Sequence, residues 1–374
     1  MAKKAYKGKT LKGKKRGLRI FLSILLVLLI MLVIFFSTVT WYVYNKLSKV
    51  NYVKLENVEI NEGVSEQLKG YRNIVLLGVD ARANTYDGSR SDCIIIVSIN
   101  QDTKDVKLTS IYRDTYVYIE GYGYDKITHA YAYGGPELAI NTINKNFDLN
   151  ITEFVAVNFD AVVDIIDAVG GVNIKIESAE LNYINDYINA VDKQMGKRTP
   201  KVTRTGTQNL SGVQALAYSR IRYTAGGDYK RAERMRDVLN AGFDKLKTLS
   251  VGKLNNLADI LLPKVYTNIT SGDIIAMIPD VTQYNVTASI GWPYEVKGIT
   301  LDKWYGVPVT LESNVQRLHK ELFGNDGYEV SSKVKEYSND NYKYANFIIS
   351  EYIKDPLAYR LNYFFEKFGI NDDI

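Results

Sequence analysis

The chain holds a single cysteine, Cys93, and two histidines, His129 and His319, among 374 residues. One thiol excludes an intramolecular disulfide framework, and two imidazoles exclude a histidine-rich metal site. No Ser-His-Asp order, cysteine nucleophile or GxxxxGK[ST] phosphate loop is apparent. Internal repeats and low-complexity linkers are lacking as well. Acidic residues are missing from residues 1–19, which carry nine Lys or Arg (Lys3, Lys4, Lys7, Lys9, Lys12, Lys14, Lys15, Arg16 and Arg19). That tail alone makes the net charge +5, because the remaining residues hold 38 basic against 42 acidic side chains. The body is therefore no general polyanion binder, and an anion site in it has to be local.

What is present begins with residues 20–44, IFLSILLVLLIMLVIFFSTVTWYVY, a run of 25 without a charge. About 20 apolar residues cross the hydrocarbon core as a helix, so this run is long enough to span. Trp41, Tyr42 and Tyr44 stand at its far end, as in an aromatic belt. The basic flank before it predicts a cytoplasmic N-terminus and an extracytoplasmic body. The run is too long for a signal-peptide apolar region, and no small-residue cleavage site follows it. Beside a spanning helix a basic tail is a topology signal, so no nucleic-acid partner is expected.

Residues 45–72 are polar and mixed, suited to a stalk. NIVLLGV (73–79) and CIIIVSI (93–99) are continuous apolar runs, the pattern of strands buried on both faces. VKLTSIY (106–112), FVAVNF (154–159) and VNIKI (172–176) are further strands. Helical spacing marks 136–147, 161–170, 211–219 and 228–249. Strands alternating with helices predict an α/β fold, a three-layer α-β-α sandwich with a central mixed sheet after one transmembrane helix. Ligands in such folds bind beyond the carboxyl ends of the strands. The expected catalytic domain covers 73–340. Residues 341–374 are an aromatic-rich helical extension interrupted near Pro356.

Three constellations carry chemistry. Asp80 follows the first strand, with Arg82 close behind, and RSD (90–92) leads into the second. Arg90 and Asp92 project to one side of an extended chain. Asp80 and Asp92 on adjacent strands form an oxygen pair suited to Mg²⁺, which completes its shell with water and phosphate. YRDT (112–115) places Arg113 and Asp114 at a strand end. SRIR (219–222) puts Arg220 and Arg222 on one side of an extended segment, and GGDYKRAERMRDVL (226–239) opens a helix. There Asp228 is expected to cap, with Arg231 in the first turn and Arg231, Arg234 and Met235 sharing a face. Arginine suits phosphate by its bidentate fork. Arginine clamps with a divalent ion on a pyrophosphate point to phosphoryl transfer.

These motifs resemble the LytR-CpsA-Psr family of cell-wall ligases. NIVLLGVDAR (73–82), RSD (90–92), SIYRDTYV (110–117), KITHAYAYGG (126–135), DAVGGVNI (167–174), LSGVQALAYSRIR (210–222) and GDYKRAERMRDVL (227–239) carry the likeness over roughly 170 residues. The resemblance implies a transferase that moves an anionic glycopolymer, such as teichoic acid or capsular polysaccharide, from an undecaprenyl-pyrophosphate carrier to peptidoglycan. It matches Asp80 and Asp92 to Mg²⁺-associated aspartates. It matches Arg90, Arg113, Arg220, Arg222 and Arg231 to pyrophosphate-contacting arginines, with Arg82 beside them, and implies a hydrophobic tunnel for the polyprenyl chain. The chain departs from the family pattern at three points: Met235 replaces a Gln, Cys93 a Thr and Tyr112 a Pro. A membrane-bound regulator and a polyprenyl-pyrophosphate-binding protein without catalysis are the alternative readings. The general base is left open between Asp80 and Asp92.

Overall fold

The computed structural model describes residues 31–343, apart from 33, 82–85, 87, 278–279, 281–282, 301–302 and 342. Arg82, the basic tail, the first part of the expected spanning run and nearly all of 341–374 lie outside the described residues. The chain divides into two compact units, one up to Lys49 and one from Val50. In the first, residues 34–47 are helical and expose Phe35, Phe36, Trp41 and Tyr44. Among the described residues no helix is long and apolar enough to cross a membrane.

The second unit runs, in chain order, through β1 (Asn51–Tyr52), α1 (Val64–Gln67), β2 (Tyr71–Val79), β3 (Ser91–Asn100), β4 (Asp105–Ile111), β5 (Tyr116–Ile119) and β6 (Gly123–Lys126). There follow α2 (Ile127–Phe147), β7 (Glu153–Asn158), α3 (Phe159–Ala168), β8 (Val172–Ile176), α4 (Ser178–Met195), β9 (Gly206–Leu210), α5 (Gly212–Arg220) and α6 (Gly227–Lys247). The last elements are α7 (Val251–Leu261), β10 (Tyr266–Thr267), α8 (Ser271–Met277), β11 (Asn285–Trp292), β12 (Val296–Thr300), β13 (Trp304–Pro308) and α9 (Leu311–Phe323). Seven strands form one sheet in the order β1-β10-β7-β2-β3-β4-β11. It is mixed: β2 runs parallel to β7 and β4 to β11, while β3 is antiparallel to both β2 and β4. The carboxyl ends of β2, β4, β7 and β11 therefore gather at one edge, beside the start of β3.

Apolar side chains on both faces of β2 and β3 explain their unbroken hydrophobic runs. Val75, Leu77, Ile94 and Ile96 point to one face, where Ile140, Ile143 and Phe147 of α2 and Leu311, Val315 and Leu318 of α9 cover them almost completely. A fully buried Ile or Phe contributes about 1.5–3 kcal/mol. Ile74, Ile95, Val97 and Leu108 point to the other face, against Leu239 and Phe243 of α6 and Ile274 and Met277 of α8. Those four helical residues are only partly buried, so this layer shields the sheet less completely than its counterpart.

Two elements differ from the sequence expectation. α2 begins at Ile127, nine residues before the helix read from periodicity. Its first turns end at a kink where Gly135 takes φ 64°, and Pro136 restarts the helix; the periodicity of 136–147 marks only the second piece. VNIKI forms β8 as expected, but it pairs with β9 in a separate ribbon, over a second core shared with α3, α4 and α5.

His319 on α9 is fully buried, stacked on Tyr328 at 3.6 Å, with Nε2 donating to the Phe147 carbonyl at 3.1 Å. Burial pushes its pKa down to about 4, from an unfolded value near 6.5. Between those values the unfolded chain binds the extra proton. The stability of the neutral folded form is thus intact above pH 6.5 and is lost as pH falls towards 4, by about 3 kcal/mol at most. Thermal unfolding of the wild type should fall steeply across this window, and His319→Phe should flatten it. Parallel pH profiles for the two proteins would refute this.

Candidate active site

β2 and β3 do not end in simple register. Gly78 pairs with Cys93 and Val79 with Ser91, which leaves Asp92 as the extra residue of a bulge. A bulge re-aims its side chain and is common beside functional sites. Here Asp92 and Cys93 both line one small cavity of about 20 Å³, room for a water or two. Ser110, Tyr112 and Arg113 close it from the end of β4, Tyr229, Arg231 and Met235 from α6, and Trp304 from β13. Tyr229 meets Tyr112 edge-on at 4.5 Å between centroids.

The cavity brings two guanidinium groups, of Arg113 and Arg231, together with three carboxylates, of Asp92, Asp114 and Asp228. Arg113 Nη1 lies 2.9 Å from Asp92 Oδ1. Arg231 Nη2 reaches the Asp92 carbonyl at 3.5 Å, and its Nε stands 3.1 Å from Asp228 Oδ1. Arg222 Nε is 3.1 Å from the same Asp228 oxygen. Burial lowers the pKa of Arg231, an effect opposed by Asp228 and reinforced by Arg222. Four polar atoms of the lining are buried without a hydrogen-bond partner: Arg113 Nε, Arg231 Nε, Asp228 Oδ1 and Ser110 Oγ. The Arg231–Asp228 contact is thus an ion pair by distance, without hydrogen-bond alignment. Buried guanidinium donors that make no hydrogen bond are suited to an anionic ligand.

The structure sorts the residues singled out from sequence. Asp92, Arg113 and Arg231 come together, and Arg222 joins them through Asp228. Asp80 is exposed at the end of β2, its N–H donating to the Arg90 carbonyl at 3.1 Å. Arg90 is exposed, and the bulge separates it from Asp92. Arg220 and Arg222 do not alternate along an extended segment. Arg220 ends α5 and stacks over Phe159 at 5.0 Å, whereas Ile221 leaves the helix at φ −60°, ψ 126°. Asp228 does not cap α6 either. Gly226, at φ 90°, occupies the cap, which places Asp228 inside the first turn and Arg231 in the second.

Arg234 does not share the face of Arg231 and Met235. Its side chain is 1% exposed and binds Glu180 at 2.8 Å, the Ile221 carbonyl at 2.9 Å and Thr224 Oγ1 at 2.6 Å. Consecutive helical residues lie about 100° apart, so Arg234 turns to α4 while Met235 turns to the sheet.

Sequence reasoning missed Lys126, whose Nζ lies 2.8 Å from the buried carboxylate of Asp114, itself 3.8 Å from Arg113 Nε. No spacing rule pairs residues twelve apart across a hairpin. It also missed a cluster that a four-residue period does display: Asp125 accepts from His129 Nδ1 at 2.9 Å and from the Tyr133 hydroxyl at 2.7 Å. Asp80, exposed at the end of β2, and Asp92, held by Arg113 near the start of β3, are the two carboxylates expected to bind Mg²⁺. Two carboxylates suit Mg²⁺, with phosphate and water completing the shell; among the described residues no third His, Cys, Asp or Glu joins such a group.

The LytR_cpsA_psr family model matches residues 37–312, which include every residue of this cavity. The chain belongs to the LytR_cpsA_psr family. It is 32% identical over 322 residues to the polyisoprenyl-teichoic acid–peptidoglycan teichoic acid transferase TagT of Bacillus subtilis (strain 168), which spans 83% of this chain and 95% of that protein. Among solved structures it resembles TagT bound to LIIa-WTA, with a TM-score of 0.57 and 30% identity, over 75% of this chain and 100% of that one. It also resembles the LytR-CPS2A-psr family protein YwtF (TagT) with bound octaprenyl pyrophosphate lipid, with a TM-score of 0.51 and 27% identity, over 74% and 95% of the two chains. Cys93, Tyr112 and Met235, the three positions expected from the resemblance to depart from the family pattern, all line the cavity.

Proposed function

We propose that this protein transfers an anionic glycopolymer from a polyprenyl-pyrophosphate carrier to peptidoglycan. The observation that carries this reading is that Arg113 and Arg231 both line one cavity at the end of the sheet, each with a buried Nε that makes no hydrogen bond. Membership of the family, and relatives named as teichoic acid transferases, support it. The relative with bound octaprenyl pyrophosphate supports the lipid carrier.

Arg113 and Arg231 grip the pyrophosphate from the sheet and from α6. Asp228 orients Arg231 and ties Arg222 to the rim. A sugar hydroxyl of the acceptor attacks the phosphorus that bears the glycan. The new P–O bond forms as the bond to the bridging oxygen breaks, polyprenyl monophosphate leaves with the electron pair, and the hydroxyl proton passes to water. Fixed guanidinium groups then stabilise charge that develops on the bridging oxygen. When bound, a Mg²⁺ ion held by Asp80 and Asp92 supplies further neutralisation of the pyrophosphate. With water in place of the acceptor, the same attack gives pyrophosphate hydrolysis. The partly exposed apolar side chains between the sheet and α6 suit a polyprenyl chain.

The protein is further proposed to be single-pass, with its N-terminus cytoplasmic and its body outside, on the support of the basic tail and the exposed apolar side chains of 34–47. The test is transfer from a polyprenyl-pyrophosphate glycan to a peptidoglycan oligomer, with Mg²⁺ and after chelation. Product that falls at least tenfold on chelation is expected. Tight binding of the donor without product would instead identify a carrier-binding protein.

A further inference from the structure

Arg236 plays no part in the site described so far, yet it is 92% buried, with 8% of its surface exposed. Its Nη1 is buried and has no hydrogen-bond partner among the described residues. The ionisable groups that act on it are Tyr112, Glu233, Asp237 and Cys93. Tyr112 and Cys93 line the cavity. Glu233 and Asp237 belong to its own helix and are engaged elsewhere: Glu233 pairs with Lys230 at 2.7 Å, and Asp237 accepts from the Tyr218 hydroxyl at 3.4 Å.

Its place on α6 gives this orphaned cation a meaning. Ala232, Arg236, Leu239 and Phe243 follow one another at spacings of four, three and four, and so form one stripe of the helix. Ala232 lines the cavity, whereas Leu239 and Phe243 pack, partly exposed, on the outer face of the sheet with Ile74, Ile95 and Leu108. Arg236 therefore lies along α6 between Ala232, at the cavity, and Leu239 and Phe243, at the apolar layer. A polyprenyl pyrophosphate has the same sequence of parts. Its glycan-side phosphate would meet Arg113 and Arg231, and its chain would enter the layer.

We infer that Arg236 binds the lipid-side phosphate of the carrier, the group that departs as polyprenyl monophosphate. This rests on the proposed reading of the cavity and deepens it. The contact also persists after transfer, so Arg236 holds the product as well as the donor.

The experiment measures binding of polyprenyl monophosphate and of polyprenol, the same chain without phosphate, to the full-length protein in detergent. Wild type, Arg236→Met and Arg236→Lys are compared. Arg236→Met should weaken the monophosphate about 10- to 100-fold, the effect of one charge-assisted contact, and leave polyprenol unchanged. Arg236→Lys should recover part of the loss. Because an unpaired buried cation is removed, the Met variant should melt no lower than the wild type. Unchanged monophosphate binding in the Met variant would overturn the inference. Equal loss of polyprenol would overturn it too, since that marks a role in packing the layer. A wild type that binds neither ligand would overturn the reading of the cavity along with it.

Discussion

Arg231→Met should lower the rate of transfer by on the order of 10³, the scale set by removing a preorganised donor from a developing negative charge. Arg231 is buried, touches the Asp92 carbonyl, and has a lowered pKa because burial outweighs Asp228. The same substitution should leave the melting temperature within a few degrees of wild type, or raise it. Its partner Asp228 keeps Arg222 at 3.1 Å, so removing the desolvated guanidinium strands no carboxylate. Loss of activity without loss of stability separates a binding residue from a structural one. Transfer within tenfold of wild type would remove Arg231 from the site.

The opposite pattern is expected three residues along α6. Arg234→Ala or Glu180→Ala breaks an ion pair whose side chains are 1% and 2% exposed, and strands the remaining charge. Such a break costs about 3–5 kcal/mol, which in a domain of this size lowers the melting temperature by roughly 10 °C. The double variant Glu180→Leu with Arg234→Met removes both charges and should regain much of that stability. It should not regain activity. Arg234 also holds the Ile221 carbonyl and Thr224 Oγ1, and so fixes the turn that brings Arg222 to Asp228. A double variant that recovers transfer together with stability would show that this turn has no functional part.

These two arginines show how far the sequence reaches. The strands of the sheet were legible because burial on both faces leaves an unbroken apolar run. The site was legible in outline because arginines and aspartates follow strand ends, where side chains converge beyond the sheet. A helical period also groups Arg231 and Arg234, but it cannot say what packs on each side of the helix. Only the tertiary structure turned Arg234 to Glu180 of α4 and kept Arg231 for the cavity.

Local geometry decided other points. An alternating pattern put Arg90 and Asp92 together, and one bulged residue separated them. SRIR read as extended, but α5 continues through Arg220, whose side chain stacks on Phe159 of a neighbouring helix. By itself the sequence determined the charge asymmetry, the α/β class and the family's motifs, all of which depend on residue type and near-neighbour spacing. Which charges meet, which are left without partners, and where Arg236 sits between polar cavity and apolar layer depend on contacts between residues far apart in the chain. Those contacts exist only once the helices are laid on the sheet.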